Sequence, residues 1–245
     1  MRIVNLALQG GGSHGAFTWG VLDALLEDGR IGFEGLSGTS AGALNAVALA
    51  SGWARAQAAG RDAREGAREK LAGIWHRVGA LGSLGTLHQQ FVRMLWGGLP
   101  RELSPGNLIG NAWRGLLSPY QSNPLDINPL RQMLEEEIDF AAVAAQRELK
   151  VFVSATHVTT GKAVVFTGAQ LDARAVLASA CLPTLFQAVE IDGESYWDGG
   201  YSVNPALSPL LSDCHAADLV LVQINPLVRD AVPKTRPTSS TASTS

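Results

Sequence analysis

Residues 36–45 read Leu36-Ser37-Gly38-Thr39-Ser40-Ala41-Gly42-Ala43-Leu44-Asn45, which sets a serine between two glycines at the spacing G-x-S-x-G. A short apolar run precedes the stretch, and a helix-forming run, residues 41–50, follows it. Strand, tight turn and helix in that order lift a hydroxyl clear of the backbone. A side chain at Gly38 or Gly42 would collide across such a turn. The free N–H groups of the following helix point at the turn, where an oxyanion would form. Ser40 is therefore a candidate nucleophile. The pentapeptide also occurs as a plain small-residue turn, so the reading depends on partners elsewhere in the chain.

Upstream, residues 2–8 read as a buried strand, followed at once by Gln9-Gly10-Gly11-Gly12-Ser13-His14-Gly15. Ala16, Phe17, Gly20, Val21, Ala24, Leu25 and Leu26 then fall at helical spacing, and Asp28-Gly29 closes the helix. A glycine loop between a strand and a helix N-terminus exposes consecutive N–H groups and suits anionic oxygen. Three uses compete for it. Gly10-x-Gly12-x-x-Gly15 matches the dinucleotide fingerprint, with Glu34 near the place of a ribose-binding acid. Against this, Ile31-Gly32-Phe33-Glu34-Gly35 makes a poor buried strand and runs into the serine turn, leaving little room for a second mononucleotide half. The second use is an oxyanion hole built on the N–H groups of Gly11 and Gly12. The third is a close strand–helix packing turn. The nearby Ser40 favours the oxyanion hole.

The remaining chain alternates strands and helices, which implies an α/β fold around a mostly parallel sheet. Residues 53–79 read as one charged, Ala-rich helix or two, with Gly60 and Gly66 as the weak points. Residues 80–125 are irregular but apolar, with Phe91, Met94, Leu95 and Trp96 close together. They read as a lid over the Ser40 site or a mobile surface that meets an apolar partner, or as ordinary core broken by turns. Residues 129–140 read as a short helix whose Glu135-Glu136-Glu137 run forms a solvated face. Residues 149–156 and 163–166 are strands, and residues 172–180 a helix stopped by Pro183. Residues 188–191 and 195–197 form a hairpin around Asp192-Gly193. A Pro-initiated helix follows near residues 204–211, then a buried strand over 218–224. Residues 1–232 are read as one domain and residues 233–245 as a disordered Ser/Thr-rich tail.

With 245 residues, 46% hydrophobic and 17% charged, the chain can build one substantial core. A net charge of −3 argues against a nucleic-acid partner. Two cysteines, Cys181 and Cys214, are too few for a disulfide framework and fit a reduced, cytoplasmic setting. The apolar N-terminus meets glycine after eight residues, and no run approaches the roughly 18 residues of a membrane span.

A serine nucleophile needs a proton acceptor. The histidines are His14, His76, His88, His157 and His215. The order Ser40, Asp198, His215 is that of an α/β-hydrolase triad, although that fold puts several strands before the nucleophile and here only one is convincing. Alternatively Asp198, at a strand end before Gly199-Gly200, is itself the base. In isolation Asp198-Gly199 would be an ordinary turn.

Together, Gly10-Gly11-Gly12-Ser13-His14-Gly15, Gly38-Thr39-Ser40-Ala41-Gly42 and Asp198-Gly199-Gly200, in that order, resemble the patatin-like phospholipase family. Ser179-Ala180-Cys181-Leu182-Pro183-Thr184-Leu185-Phe186 is similar to that family's S-x-x-x-P-x-x-F stretch. The resemblance runs from about residue 3 to about residue 228. It implies a three-layer α/β/α fold, a Ser–Asp dyad without histidine, and hydrolysis of lipid esters with no metal or other cofactor. Ser40 would be the nucleophile and Asp198 the base. Gly10, Gly11, Gly12 and Gly15 would build the oxyanion loop, with Ala41 adding a donor. Gly38 and Gly42 would shape the elbow, and Gly199 and Gly200 the aspartate turn. The implied partner is a lipid ester, met at the periphery of a membrane or lipid surface. Two departures stand out. His14 replaces the Arg or Lys frequent before Gly15, which makes the local charge pH-dependent. The chain also runs into the Ser/Thr-rich tail soon after Ile224-Asn225-Pro226-Leu227, so the C-terminal layer covering one sheet face is expected to be short or missing.

Overall fold

The computed structural model describes residues 1–81, 119–122, 126, 128–226 and 228. The apolar residues 91–96, His88 and the tail from residue 233 lie outside the described residues. The strands are β1 (Arg2–Leu8), β2 (Ile31–Thr39), β3 (Lys150–His157), β4 (Ala163–Thr167), β5 (Val189–Ile191), β6 (Glu194–Asp198) and β7 (Asp218–Val222). The helices that matter here are α1 (Gly15–Asp28), α2 (Ala41–Ala58), α3 (Ala63–Leu81), α4 (Pro119–Ser122), α5 (Pro129–Glu137), α6 (Phe140–Ala145), α7 (Ala173–Ser179) and α8 (Ser208–Ser212).

The sheet runs β5-β6-β3-β2-β1-β7, with β4 also paired to β3. Its centre, β3-β2-β1-β7, is parallel, while β4, β6 and β5 join antiparallel. The registers on β3 fix the site. β2 runs beside residues 150–154 and stops with Thr39 opposite Ser154. β4 overlaps both β2 and β6 along β3, so it occupies the opposite edge. β6 therefore lies on the same edge as β2, comes from the other direction, and ends with Asp198 opposite Ala155. Two strands thus meet end to end beside β3, and Ser40 and Asp198 are the residues at the junction.

One face of the sheet carries the main core. Val4, Leu6, Leu8 and Leu36 pack there with α2, whose buried residues run from Ala41 through Gly52 without a break. A helix buried all round is one covered by others, and α1 and α3 lie over it. The opposite face holds Ala7 and Phe152 under Leu210 of α8, a helix of five residues. Strand alternation puts Asn5 and Ser37 on this second face, where Asn5 Nδ2 donates to the Leu210 carbonyl at 3.2 Å and Ser37 Oγ to the Ala206 carbonyl at 2.5 Å.

Several expectations need correction. Residues 31–35 do belong to a strand despite Gly32 and Gly35. Glycine there makes room, since a Cβ on Gly35 would stand 2.6 Å from Cys214 Sγ and one on Gly32 2.6 Å from Ile3 Cδ1. Residues 53–79 split at Gly60, but Gly66 does not break α3. It is where α3 presses on α2, with its Cβ position 2.2 Å from Ala56 Cβ. The acidic run is not merely solvated, because Glu137 pairs with Lys70 at 2.9 Å and with Arg77 at 2.6 Å, tying α5 to α3. The apolar run of β7 predicts a buried strand, yet β7 ends the sheet and its Val220 and Leu221 are exposed among the described residues.

Among the described glycines the closest approach to backbone is at Gly42, where a Cβ would lie 2.1 Å from the Leu8 carbonyl oxygen. Gly42→Ala is expected to cost about 3 kcal/mol of stability by forcing β1 off α2. Gly20→Ala in α1, where a Cβ meets nothing within 4 Å, should instead gain about 0.5–1 kcal/mol. Thermal melts of the two variants check both.

Candidate active site

Ser40 sits at φ 54°, ψ −121°, a left-handed conformation that few non-glycine residues adopt. Such strain costs of order 1–3 kcal/mol and persists only where surrounding contacts impose it. The elbow's glycines allow it, since a Cβ on Gly38 would stand 2.4 Å from the Gly42 carbonyl oxygen. Ser40 holds the N-cap position of α2, yet its hydroxyl makes no capping bond. A serine there ordinarily bonds an N–H of the first turn, so this hydroxyl is left for other work.

Asp198 is 6% exposed. Its backbone N–H donates to the Cys181 carbonyl at 2.8 Å, and its own carbonyl accepts from Thr156 Oγ1 at 2.8 Å. The carboxylate accepts from the Gly200 N–H at 2.7 Å. Burial pushes the carboxyl pKa above its ordinary value, against the opposing pull of the Gly200 N–H and the Ser40 hydroxyl. Gly199 passes so close to the sheet that a Cβ would lie 2.3 Å from the Ser154 carbonyl oxygen and 2.9 Å from Thr39 Cγ2.

The segment after Asp198 is fastened to the other two motifs. Thr39 Oγ1 donates to the Val203 carbonyl at 3.2 Å. Asn204 and Gly10 bond reciprocally, with the Gly10 N–H donating to Asn204 Oδ1 at 2.6 Å and Asn204 Nδ2 to the Gly10 carbonyl at 3.2 Å. Asn45, fully buried in α2, donates to the carbonyls of Gly15 and Ala41, each at 3.0 Å, and accepts from Trp75 Nε1 at 2.9 Å. Neither asparagine carries a local sequence signal of this role, which appears only once distant elements meet.

These contacts sort the glycine loop. The Gly10 N–H is taken by Asn204, and the Gly15 N–H donates to the Gly12 carbonyl. Both glycines shape the loop. The N–H groups of Gly11, Gly12 and Ala41 have no acceptor among the described residues. Gly12 is at φ 58°, where a side chain would be strained.

All three motifs line one cavity of about 360 Å³. Gly10, Gly11, Gly12, Ser40, Ala41 and Asp198 form its polar end, and Leu44, Trp75, Val78, Leu130, Val176 and Leu182 its apolar wall. His14 also lines it and holds its Nδ1 3.1 Å from the Gly11 carbonyl oxygen.

The remaining described histidines are elsewhere. His215 is near the start of β7 and bonds Glu34 at 3.1 Å, at the end of the sheet opposite Ser40. It therefore does not complete a triad. His157 bonds Glu194 at 2.8 Å, and His76 packs edge-on against Trp19. Glu34 cannot serve a nucleotide in the glycine loop, because it too lies at that far end. Its carboxyl is brought down to about 2, partial burial being outweighed by bonds from His215, Ala216 and Lys150. Burial pushes the Cys181 thiol up to about 12, which leaves it unreactive. Among the described residues, no group of His, Cys, Asp and Glu could hold a metal ion. No described helix is long and apolar enough to cross a membrane.

The chain belongs to the patatin-like phospholipase family, whose sequence profile it matches over residues 6–211. A search of curated proteins finds no match. Among solved structures, VipD from Legionella pneumophila is similar at a TM-score of 0.49 and 16% identity, over 89% of this chain and 49% of VipD. The chain thus spans about half the length of that protein.

The burial of Asp198 has a stability consequence. Its folded-state pKa is raised, so the folded protein holds this proton more tightly than the unfolded chain. The ionised carboxylate then lowers stability as pH rises through the raised value, and the penalty fades toward the ordinary value of 3.8. Asp198→Asn, which keeps an acceptor for the Gly200 N–H, is expected to melt higher than wild type at pH 7. Melts repeated at falling pH should show the gap closing, and a lower melting temperature at pH 7 would contradict the assignment.

Proposed function

We propose that the protein is a serine acyl hydrolase that cleaves fatty-acyl esters of lipids with Ser40 as nucleophile and Asp198 as base. The observation that carries the reading is a strained serine with an uncapped hydroxyl sharing one cavity with a buried carboxyl of raised pKa. Buried carboxylates poised in this way cluster at functional sites. Family membership supplies the substrate class, since patatin-like phospholipases act on lipids, and the apolar wall offers an acyl chain a dry surface.

In the proposed cycle Asp198 takes the Ser40 proton as Oγ attacks the ester carbonyl. The tetrahedral oxyanion accepts from the N–H groups of Gly11, Gly12 and Ala41, with the N-terminus of α2 behind it. As the intermediate collapses, the protonated Asp198 returns the proton to the leaving alcohol, and the acyl group stays on Ser40. Water, losing a proton to Asp198, attacks the acyl-enzyme; as the fatty acid leaves, Asp198 passes that proton to Ser40 Oγ and both groups are restored. Burial suits the carboxylate to this task, because a base is more effective when its pKa is nearer the working pH. It also sets the acid limb of activity above the usual range for aspartate, since activity requires the ionised form.

Ser40→Ala and Asp198→Asn are each expected to lower turnover of a p-nitrophenyl ester by roughly a thousandfold or more, and the double variant to lose little further, as residues acting as a unit do. His215→Ala should stay near wild type. A large loss there, rescued by imidazole, would replace the dyad with a triad. Fatty-acid release from a panel of lipids separates this reading from a lipid-binding protein with a silent dyad, which would bind vesicles without releasing acid. Gly12→Ala is expected to lower kcat about a hundredfold, on the scale of one lost oxyanion donor, and an effect on KM alone would count against that role.

A further inference from the structure

Residues 179–181, from the end of α7 into the turn after it, touch both members of the dyad. The Ser40 N–H donates to Ser179 Oγ at 2.8 Å. Two residues on, the Cys181 carbonyl accepts the Asp198 N–H at 2.8 Å. Ser179 is fully buried, and α7 is anchored at its other end by Asp172, whose side chain accepts from the Ala175 N–H at 3.0 Å.

We infer that Ser179 is a positioning residue for the nucleophile: its hydroxyl oxygen holds the Ser40 amide, so that one rigid segment fixes nucleophile and base relative to each other. The inference rests on Ser40 and Asp198 acting as proposed above. Its physical basis is the position of Ser40. Thr39 ends β2 and Ala41 begins α2, so the Ser40 N–H falls between the strand ladder and the helix and has neither for a partner. At φ 54° that amide is turned toward α7. The amide is partly buried, and leaving it without an acceptor is unfavourable. Without Ser179 Oγ the turn would relax toward any conformation that finds one. Ser40 Oγ would then move, while Asp198 stays on Cys181. Since a displacement of about 1 Å in a reacting group can cost on the order of a hundredfold in rate, a hydroxyl that touches neither substrate nor reacting atoms can still set kcat. The cavity walls would be untouched.

The test uses the full chain with Ser179→Ala, Ser179→Thr and Ser179→Cys. Ester turnover, thermal melts and hydrogen exchange at the Ser40 amide are measured for each. The expected result for Ser179→Ala is a kcat lower by about tenfold to a hundredfold with KM within about twofold, and faster exchange at Ser40. Ser179→Thr, which keeps the acceptor, should recover most of the rate. If Ser179→Ala does not fold, Ser179→Cys, close in volume but a weak acceptor, should show the same kcat loss and faster exchange. Wild-type kcat and unchanged Ser40 exchange in a folded Ala or Cys variant would overturn the inference alone. Wild-type protein whose ester hydrolysis is unaffected by Ser40→Ala would overturn the functional reading first, and the inference with it.

Discussion

The site exists because β2 and β6 share one edge of β3 and run toward each other until their ends abut. Neither strand could be longer. One more ladder residue on β2 would occupy the place of Asp198, and one more on β6 that of Thr39. Backbone hydrogen bonding therefore does what a chain of side chains does in many enzymes. It brings two groups far apart in sequence into register with the precision of a sheet. The bonds that fasten residues 198–206 across the strand ends, at Thr39, Ser37 and Gly10, then keep the junction closed.

That junction also explains the electrostatics. A carboxylate at a sheet's rim would normally be hydrated and weakly basic. Here the β3 edge, the turn after α7 and the glycine loop crowd around Asp198, leaving the Gly200 N–H and the Ser40 hydroxyl to offset lost water. Two donors do not fully replace solvation, so the charged form is disfavoured. Strain at Ser40 and desolvation at Asp198 are both unfavourable to folding. The largely unbroken apolar packing around α2 is what tolerates them.

Much of this was legible in the sequence. The three glycine motifs carry their own signals, because close backbone approach admits nothing larger: at Gly10, Gly38, Gly42 and Gly199 an added Cβ would meet an oxygen within 2.6 Å. The hairpin at Asp192-Gly193 was likewise readable, and both residues take the positive φ such a turn demands. What could not be read was relation between elements. Gly32 and Gly35 looked like strand breakers until Ile3 and Cys214 filled the space above them. The glutamates of α5 looked solvated until α3 brought Lys70 and Arg77 beside them. His215 was a plausible triad member by chain order alone, and only the sheet topology puts it at the wrong end. Ser179 lay within a recognisable stretch, but that its hydroxyl reaches the Ser40 amide depends on tertiary packing that no local pattern encodes.

If Ser40 attacks a carbonyl whose oxygen rests on the Gly11, Gly12 and Ala41 amides, a crystal structure of the protein after reaction with an alkyl fluorophosphonate will show it. Phosphorus should be bonded to Ser40 Oγ, with its phosphoryl oxygen about 2.7–3.1 Å from those N–H nitrogens and the alkyl chain along Leu44, Trp75 and Val176. Phosphorus on another residue, or a phosphoryl oxygen turned away from the glycine loop, would contradict that arrangement.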